Sequence, residues 1–264
     1  MLRCPVCNEP IFKQNDKIYC CENNHSFDIA KKGYVNFLLS HKMNSKLPGD
    51  NKLMVNARSN FLNKGYYAPF KDKLKELVNQ NNPITILDAG CGEGYYTAGV
   101  DRDDRSVIGI DISKTALQKA APKNRNITYI AASLFDLPIQ NECVDLLFSL
   151  FAPYAGEEFR RVLKQDGIMI LGIPGEDHLI ELKNVIYEKP YKNQVKDYEL
   201  SGFEFQKAEI IETKISLESQ EDILNLFQMT PYYYRTKQED LKKIHALRKF
   251  DVTISFQLLV YKKA

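Results

Sequence analysis

The sequence predicts an α/β protein in which a doubly wound, mainly parallel sheet follows a small cysteine-rich module. Three observations support this fold class. From Ile84 onward, short apolar segments alternate with helical segments, and this order produces a parallel sheet covered by helices. Four of the six cysteines lie within the first 21 residues. The 264 residues are enough for one large domain and one such module.

The elements can be assigned in chain order. Two helices precede the sheet, one that starts near Leu53 and stops at Gly65 and one over Phe70–Val78. Near the C-terminus, Phe250–Leu258 alternates apolar and polar residues, which predicts a half-exposed last strand that pairs antiparallel with its neighbours. The predicted strands of the sheet are Ile84–Asp88, Val107–Asp111, Ile127–Ala131, Val144–Phe148 and Gly167–Ile173, and the predicted helices are Lys114–Ala121, Gly156–Leu163 and Asp177–Tyr187.

These elements predict three divisions of the chain. Residues 1–38 form the cysteine-rich module, residues 39–82 form a linker with the two preceding helices, and residues 83–264 form the main domain. The linker is assigned to His41–Asp50, because Pro48, Gly49 and Asp50 form a turn that ends in a good helix N-cap.

Composition and charge exclude some classes of protein. The apolar share of 44% and the charged share of 27% are ordinary for a globular protein. No apolar run approaches the roughly 20 residues of a membrane span, and the N-terminus lacks the apolar stretch of a signal peptide, so we expect a cytoplasmic protein with no membrane partner. The net charge of +2 is too small to indicate nucleic acid by itself. Residues 235–264 carry eight Lys/Arg and three Asp/Glu, which leaves a solvated face and a binding surface as alternatives.

The N-terminal cysteines predict a zinc site. Disulfides are not expected in a reducing cytoplasm, so clustered cysteines indicate metal binding. Cys4 and Cys7 form a C-x2-C pair, and His25 follows. Either Cys20 or Cys21 completes a tetrahedral set, because adjacent residues of a strand point to opposite sides.

The segment between the Cys4–Cys7 pair and the later ligands predicts a zinc ribbon. Ile11–Lys13 and Lys17–Tyr19 are two short strands around a turn. A module this small has almost no core, so the metal must supply its folding free energy.

The glycine-rich segment after the first strand of the sheet predicts a cofactor site. Asp88 ends the strand, and Gly90, Gly92 and Gly94 follow at alternate positions. Glycines let a backbone turn sharply and approach a ligand closely. Asp111 ends the next strand, where a carboxylate can accept hydrogen bonds from a ribose. A glycine-rich turn without a ligand is the alternative. The spacing differs from that of dinucleotide enzymes and is similar to the S-adenosylmethionine (AdoMet) site of class I methyltransferases.

Longer motifs resemble one family along nearly the whole chain. The chain is similar to the RlmA-type 23S rRNA (guanine-N1)-methyltransferases, the group that includes the tylosin-resistance methyltransferase. The motifs that carry the resemblance are CPVC, CENNHSFD-x-A-x-x-GYVN, HK-x5-PGD, AR-x-x-FL-x-x-GYY-x-P, LD-x-GCGEGYYT, HLIELK-x-x-IY and QMTP.

The resemblance implies a fold and an activity. It implies a Rossmann-like class I methyltransferase sheet with an antiparallel last strand, behind an N-terminal zinc ribbon that helps dock 23S rRNA. The activity is methyl transfer from AdoMet to N1 of a guanine in a hairpin loop near the peptide exit tunnel, with an effect on macrolide susceptibility. The resemblance also implies a homodimer. The zinc ligands that it implies are Cys4, Cys7, Cys21 and His25, which leaves Cys20 spare.

The resemblance also implies roles at the cofactor site. The backbone of Glu93, with that of Gly92, should contact AdoMet. Asp88 should position the glycine loop and the methionine amino group. Tyr67 and His178 should approach the cofactor from two sides, although Tyr67 could be a core aromatic and His178 could cap its helix. The set of cofactor-binding residues is therefore Tyr67, Asp88, Gly90, Gly92, Glu93, Gly94, Asp111 and His178.

The sequence says less about the residues that bind the guanine, which accepts the methyl group. Guanine N1 must lose a proton, yet the sequence indicates no particular general base. Tyr154, after the fourth strand, could stack on the acceptor base or be a surface aromatic. Glu157 and Glu158 are interpreted as the opening of a helix. Ser133 stands where many class I enzymes have Asp, so adenine recognition is expected to use the backbone near it.

Two other functions are compatible with these motifs. The chain could methylate a small quinone-like acceptor, or it could bind RNA or AdoMet as a regulator without catalysis. The zinc ribbon argues against the first alternative, because a small acceptor needs no docking module. The complete cofactor motif argues against the second.

Overall fold

A computed structural model of the chain describes residues 1–39, 49–194 and 198–264. Most of the predicted linker, His41–Asp50, therefore lies outside the described residues. The helix after it is capped by Asn51 and not by Asp50, because the Asn51 side chain accepts a hydrogen bond from the Met54 backbone N–H at 3.1 Å. Asp50 instead forms an ion pair with Arg58.

The N-terminal module is a three-stranded antiparallel sheet. Strands β1 (Ile11–Asn15) and β2 (Ile18–Cys21) form the predicted hairpin. A third strand, β3 (Ser26–Asp28), pairs with the other edge of β2. The sequence did not predict β3, because three paired residues are too few to produce a period in the sequence.

The main sheet contains eight strands within the described part of the chain. The five predicted strands are all present, with ends that differ from the prediction by a few residues. The strand that lies in residues 203–217 was not predicted. In chain order the strands are β4 (Val35–Asn36), β5 (Thr85–Ala89), β6 (Ser106–Asp111), β7 (Thr128–Ala131), β8 (Val144–Leu150), β9 (Leu163–Pro174), β10 (Phe203–Leu217) and β11 (Phe250–Lys263).

The spatial order of the strands is β10-β11-β9-β8-β5-β6-β7-β4. The strands from β4 to β9 pair in parallel, and β11 pairs antiparallel with both β9 and β10. The fold class is therefore the predicted one, including the antiparallel last strand. The carboxyl ends of the parallel strands meet at one edge, where ligands bind in folds of this kind.

The prediction that the last strand is half-exposed was wrong. Nearly all of β11 is buried, because the strand lies between β9 and β10 and an apolar core covers each of its two faces. The alternation of its residues is real, but the polar positions have partners inside the protein. Thr253 donates to Glu181, and Gln257 accepts from the Tyr198 hydroxyl.

Eight helices surround this sheet within the described ranges. The two helices before the sheet and the three within it have nearly the predicted bounds, except that α6 starts three residues later than predicted. Leu179, with a φ of +57°, interrupts the helical backbone there. The helices are α1 (Lys52–Asn63), α2 (Ala68–Asn81), α3 (Thr97–Val100), α4 (Lys114–Ala120), α5 (Gly156–Val162), α6 (Ile180–Ile186), α7 (Gln220–Gln228) and α8 (Gln238–Ala246).

Two apolar cores lie on the two faces of the sheet. One core joins the sheet to α1, α2, α4, α6, α7 and α8. The other joins the sheet to α5 and to the N-terminal ribbon, through Leu2, Ile11 and Tyr19. The ribbon is thus part of a layer of the protein, and β4, just after it, extends the sheet by pairing with β7.

No helix in the described part of the chain combines the length and the hydropathy needed to cross a bilayer.

Candidate active site and metal centre

The glycine loop connects β5 to α3 at the carboxyl edge of the sheet. Its three glycines have φ values of +95°, +54° and +77° in chain order. A Cβ on Gly90 would lie 2.5 Å from the Ala152 Cβ, so only glycine allows the loop to pass this close to the segment after β8. A Cβ on Gly92 would meet no atom within 4 Å, which leaves open space above that residue.

Asp111 fixes the loop from the end of β6. One of its carboxylate oxygens accepts the Gly92 N–H at 2.8 Å, and the other accepts the Ser113 N–H at 2.7 Å. Burial raises the pKa of Asp111, while these backbone donors and the Arg58 charge oppose that rise. Each oxygen keeps lone-pair capacity for a further donor such as a ribose hydroxyl.

Asp88 lies beneath the loop and is fully enclosed. Its carboxyl group accepts the Thr97 hydroxyl at 2.6 Å and thereby ties the end of β5 to α3. Burial raises the pKa of Asp88 to about 8, so the carboxyl is largely protonated at neutral pH. Its geometry matches the predicted positioning of the loop. The predicted contact with the methionine amino group stays a prediction.

A cavity of about 590 Å³ opens above the carboxyl ends of the central strands. Gly94 does not line it. A Cβ on Gly94 would lie 2.6 Å from the Tyr129 hydroxyl oxygen, so Gly94 allows the loop to pack against β7 behind the cavity. Seven of the eight predicted cofactor-binding residues line the cavity: Tyr67, Asp88, Gly90, Gly92, Glu93, Asp111 and His178.

Glu93 provides a test of whether this cavity fits a nucleoside cofactor. Its side chain is 2% exposed, and its Oε1 has no hydrogen-bond partner among the described residues. Burial raises the pKa of Glu93, and the nearby Arg58 charge opposes that rise. A buried oxygen without a partner is costly unless a ligand supplies a donor. AdoMet carries hydroxyl and ammonium donors, so the residues of this cavity fit it.

Arg58, on α1, is a cavity residue for which the sequence predicted no role. Its guanidinium forms an ion pair with Asp50 and donates to the Met229 carbonyl at 3.4 Å. Burial lowers the pKa of Arg58, but the charges of Asp50, Glu93 and Asp111 outweigh burial and raise it overall. The only signal in the sequence was its place in the AR-x-x-FL motif.

The other end of the cavity is aromatic. The Phe256 ring lies 4.4 Å from the His178 ring, 4.8 Å from the Tyr67 ring and 4.9 Å from the Phe151 ring, between centroids. Tyr67 is therefore both a buried aromatic and a cavity residue, and burial raises its pKa. Phe151 is 45% exposed and has a φ of +57°, a strained backbone that is frequent at functional sites.

His178 is neutral and has a fixed tautomer. Its Nδ1 accepts the Ser255 N–H at 3.3 Å, so the proton must lie on Nε2. Burial, with a contribution from the Lys183 charge, lowers the pKa of His178 to about 3. It does not cap α6, whose N-cap residue is Leu179 without a side-chain cap bond.

The four predicted zinc ligands lie together in the ribbon. The ligand atoms of Cys4, Cys7, Cys21 and His25 all lie within 4.8 Å of one another. The Cys7 and Cys21 sulfurs are 3.8 Å apart, and the Cys21 sulfur is 3.5 Å from Nδ1 of His25. A tetrahedral zinc with Zn–S bonds of about 2.3 Å has ligands about 3.8 Å apart, so this donor set fits Zn²⁺. Cys20 is not part of the cluster, because its side chain points to the other face of β2.

The other predicted acceptor-side residues have separate positions. Tyr154 is 41% exposed and lies just after the cavity segment Phe151–Pro153. Glu157 and Glu158 lie in the first turn of α5, as predicted. Ser133 lines the cavity, and its hydroxyl accepts the Phe135 N–H at 3.2 Å.

Comparison with known proteins supports the assignment of both the zinc ribbon and the methyltransferase domain. Residues 2–46 match the family described as "RlmA, N-terminal", and residues 86–167 match a methyltransferase domain. The structure of a protein from Galdieria sulphuraria, provisionally described as a sarcosine dimethylglycine methyltransferase, covers 76% of this chain and 88% of its own with a TM-score of 0.50 and 14% identity. That likeness concerns the fold. Fold and loop together define an AdoMet-dependent class I methyltransferase.

The sequence relatives are more specific. The chain is 33% identical to the 23S rRNA (guanine(748)-N(1))-methyltransferase of Streptomyces fradiae, over 70% of this chain and 67% of that protein. It is 28% identical to YxjB of Bacillus subtilis (strain 168), over 98% of this chain and 96% of that protein. YxjB is provisionally assigned as a 23S rRNA (guanine-N(1)-)-methyltransferase. The chain belongs to the RlmA-type 23S rRNA (guanine-N1)-methyltransferase family, with AdoMet as cofactor and a structural zinc.

Proposed function

We propose that this protein transfers a methyl group from AdoMet to N1 of a guanine in a hairpin loop of 23S rRNA, near the peptide exit tunnel. The observation that supports this most is the union, in one chain, of the zinc ribbon with a cofactor cavity whose far end is aromatic. The relative from Streptomyces fradiae, named for the same N1 position of a guanine, favours the guanine that it modifies as the target.

The aromatic end of the cavity suits a base that has left its stack. Phe151 offers an exposed ring face at the cavity, and Tyr154 offers a second exposed ring three residues later. Base–aromatic stacking contributes about 1–3 kcal/mol per base. We therefore assign the guanine to this end and the nucleoside part of the cofactor to the end with Asp111.

Methyl transfer requires the protein to align the guanine with AdoMet more than to activate either of them. AdoMet supplies a methyl group on a positively charged sulfur that is already a good leaving group. The protein must hold the guanine in line and exclude water. Nδ1 of His178 is already occupied by the Ser255 N–H, so His178 can donate through Nε2 but does not accept the N1 proton. We assign no general base, so the guanine loses its N1 proton to solvent before it enters the cavity.

In vitro methylation of an RNA hairpin tests the proposal. The zinc-loaded protein and labelled AdoMet are incubated with a transcript of the 23S rRNA hairpin, and the digested RNA is analysed for N1-methylguanosine. A transcript with adenine in place of the target guanine is the matched RNA control. We expect about one methyl group per hairpin and none on the control.

A deletion strain provides the cellular test. N1 methylation blocks base pairing, so primer extension on wild-type 23S rRNA should stop at the modified guanine, and the stop should vanish in the deletion strain. An unchanged pattern, together with no transfer in vitro, would contradict the proposal. The same pair of strains tests the further proposal that the modification changes macrolide susceptibility.

Two broader expectations follow from the family. An rRNA substrate implies a cytoplasmic location. We also propose a homodimer, which light scattering should detect as twice the mass of one chain.

A further inference from the structure

The first three residues connect the zinc ribbon to the loop that borders the cofactor cavity. On one side they lie along residues 138–140. The Met1 carbonyl accepts the Gln140 N–H at 2.8 Å, Leu2 forms an antiparallel bridge with Ile139, and the Arg3 N–H donates to the Pro138 carbonyl at 3.0 Å.

On their other side the same residues pair with the ribbon. Arg3 forms an antiparallel bridge with Pro10, and the Leu2 carbonyl accepts the Ile11 N–H at 3.3 Å. The next residue in the chain is Cys4, whose sulfur lies in the zinc cluster. The three residues therefore act as a short shared strand, with the ribbon on one edge and the main domain on the other.

The Arg3 side chain extends this contact toward the cavity. Its Nε donates to the Leu137 carbonyl at 3.0 Å. One terminal nitrogen lies 3.3 Å from the Asp136 carboxylate and 3.6 Å from the Glu158 carboxylate. The side chains of Arg3 and Glu158 are each 17% exposed, whereas Asp136 is 43% exposed, so the pair with Glu158 is the better shielded of the two.

Asp136 directly follows three residues that line the cavity, Ser133, Leu134 and Phe135. The turn is closed by the Asp136 N–H, which donates to the Ser133 carbonyl at 3.4 Å. Arg3 thus holds the C-terminal end of this cavity loop. α5 holds the same end of the loop together with Arg3. Glu158 accepts the Leu137 N–H at 2.7 Å, and Arg161 donates to the Leu137 carbonyl at 3.0 Å.

We propose that the zinc ribbon also braces the cofactor cavity, with Arg3 as the positioning residue that holds the loop of residues 133–136. The zinc fixes Cys4, Cys4 fixes the shared strand, and the shared strand fixes the loop. AdoMet affinity therefore depends on an intact ribbon, apart from any contact of the ribbon with RNA. This inference rests on the cofactor assignment within the proposed function and not on the RNA substrate.

The test uses the full chain loaded with zinc. Arg3→Met removes the fork of hydrogen bonds and leaves all four zinc ligands. We expect the Kd for S-adenosylhomocysteine, measured by calorimetry, to rise about fivefold while the zinc content stays at about one per chain. Hydrogen exchange should increase in residues 133–137. Lys13→Met is the matched control, because Lys13 pairs with Asp16 on the exposed hairpin of the same ribbon.

Two more variants separate positioning from a loss of folding. Arg3→Lys keeps the charge but not the fork, so its Kd should lie between those of the wild type and Arg3→Met. Cys21→Ser should weaken S-adenosylhomocysteine binding in the wild type more than in Arg3→Met, because both changes release the same loop. If Arg3→Met does not fold, Asp136→Ala removes the carboxylate that accepts from Arg3 on the loop side.

The outcomes distinguish this inference from the proposed function. Unchanged S-adenosylhomocysteine affinity and unchanged exchange in a zinc-loaded Arg3→Met variant would overturn the brace and leave the RNA activity in place. A wild type that binds S-adenosylhomocysteine but methylates no hairpin would overturn the RNA activity and leave the brace in place.

Discussion

At the scale of single residues, the site depends on backbone freedom at one position and on a fixed proton at another. Gly92 has a positive φ and leaves space that a ligand can use. His178 is enclosed, neutral and held by a backbone donor. Both properties follow from the position of the residue in the fold, and both can be measured.

Gly92→Val should prevent cofactor binding. Its side chain would extend into the open space above the loop, so the affinity for S-adenosylhomocysteine should fall at least about tenfold. Gly65→Val is the matched control, because Gly65 also has a positive φ and no atom within 4 Å of a built Cβ, yet it does not line the cavity. Both variants should lose similar stability, and only the first should lose binding in calorimetry. Equal affinities would contradict this account of the loop.

His178 should make the protein less stable in acid. Its folded pKa of about 3 lies below the unfolded value of about 6.5. Only the unfolded chain gains a proton as the pH falls through 6.5, so stability is lost between pH 6.5 and 3. Between pH 7 and 5 the wild type should lose about 2 kcal/mol more unfolding free energy than His178→Gln.

Urea unfolding at the two pH values measures this difference. His245→Gln, which removes an exposed histidine of α8, serves as the control and should behave like the wild type. If His178→Gln keeps the full pH dependence, the neutral state assigned to His178 is wrong.

At the level of secondary structure, the alternation of side chains along β2 decides which cysteine faces the metal cluster. Cys21 is buried and lies in the cluster with the other three ligands, and Cys20 lies opposite Phe12 in the pairing with β1. The residues alone left both cysteines open, and the family resemblance chose Cys21. The structure brings Cys21 to the cluster because adjacent side chains of a strand point in opposite directions.

Two adjacent substitutions test this arrangement. Cys21→Ser should purify with well below one zinc per chain and with a ribbon that unfolds first, because the metal supplies most of the ribbon's stability. Cys20→Ser should keep about one zinc per chain and the wild-type unfolding curve. Metal analysis and thermal unfolding give the answer. Full zinc in Cys21→Ser would refute the ligand set.

At the scale of the whole molecule, Arg58 joins segments that are distant in the chain. It contacts Asp50 before α1 and the carbonyl of Met229 after α7, and its charge lies near Glu93 in the glycine loop. These three segments border the cofactor cavity from three sides. A single guanidinium therefore links the approach to α1, the glycine loop and the C-terminal QMTP motif.

Arg58→Met should destabilise the protein by about 2 kcal/mol and weaken S-adenosylhomocysteine binding, because it leaves Asp50 and Glu93 without their cation. Arg102→Met removes an exposed ion pair with Asp104 and should cost less than about 1 kcal/mol. Urea unfolding and calorimetry on both variants measure the contrast. An Arg58→Met variant with wild-type affinity would contradict a role for Arg58 at the cavity.

The local features of this protein are predictable from short stretches of its sequence. The alternation of strands and helices, the glycine loop with Asp111 and the zinc motif are all encoded within short segments, where residue type and spacing fix the backbone directly. The family resemblance added Tyr67 and His178 as cavity residues. The strands that the sequence missed, such as β3 and β10, have either too few residues or too mixed a pattern to carry a period.

Other features depend on contacts between segments that are distant in the chain. The burial of β11 depends on the apolar cores that cover its two faces, and the role of Arg58 depends on partners that lie 8 and 171 residues away. The tautomer of His178 depends on a backbone N–H in β11. The bracing of the cavity loop by residues 1–3 depends on a separation of more than 130 residues. No local pattern encodes such contacts, because they form only when the core brings the segments together.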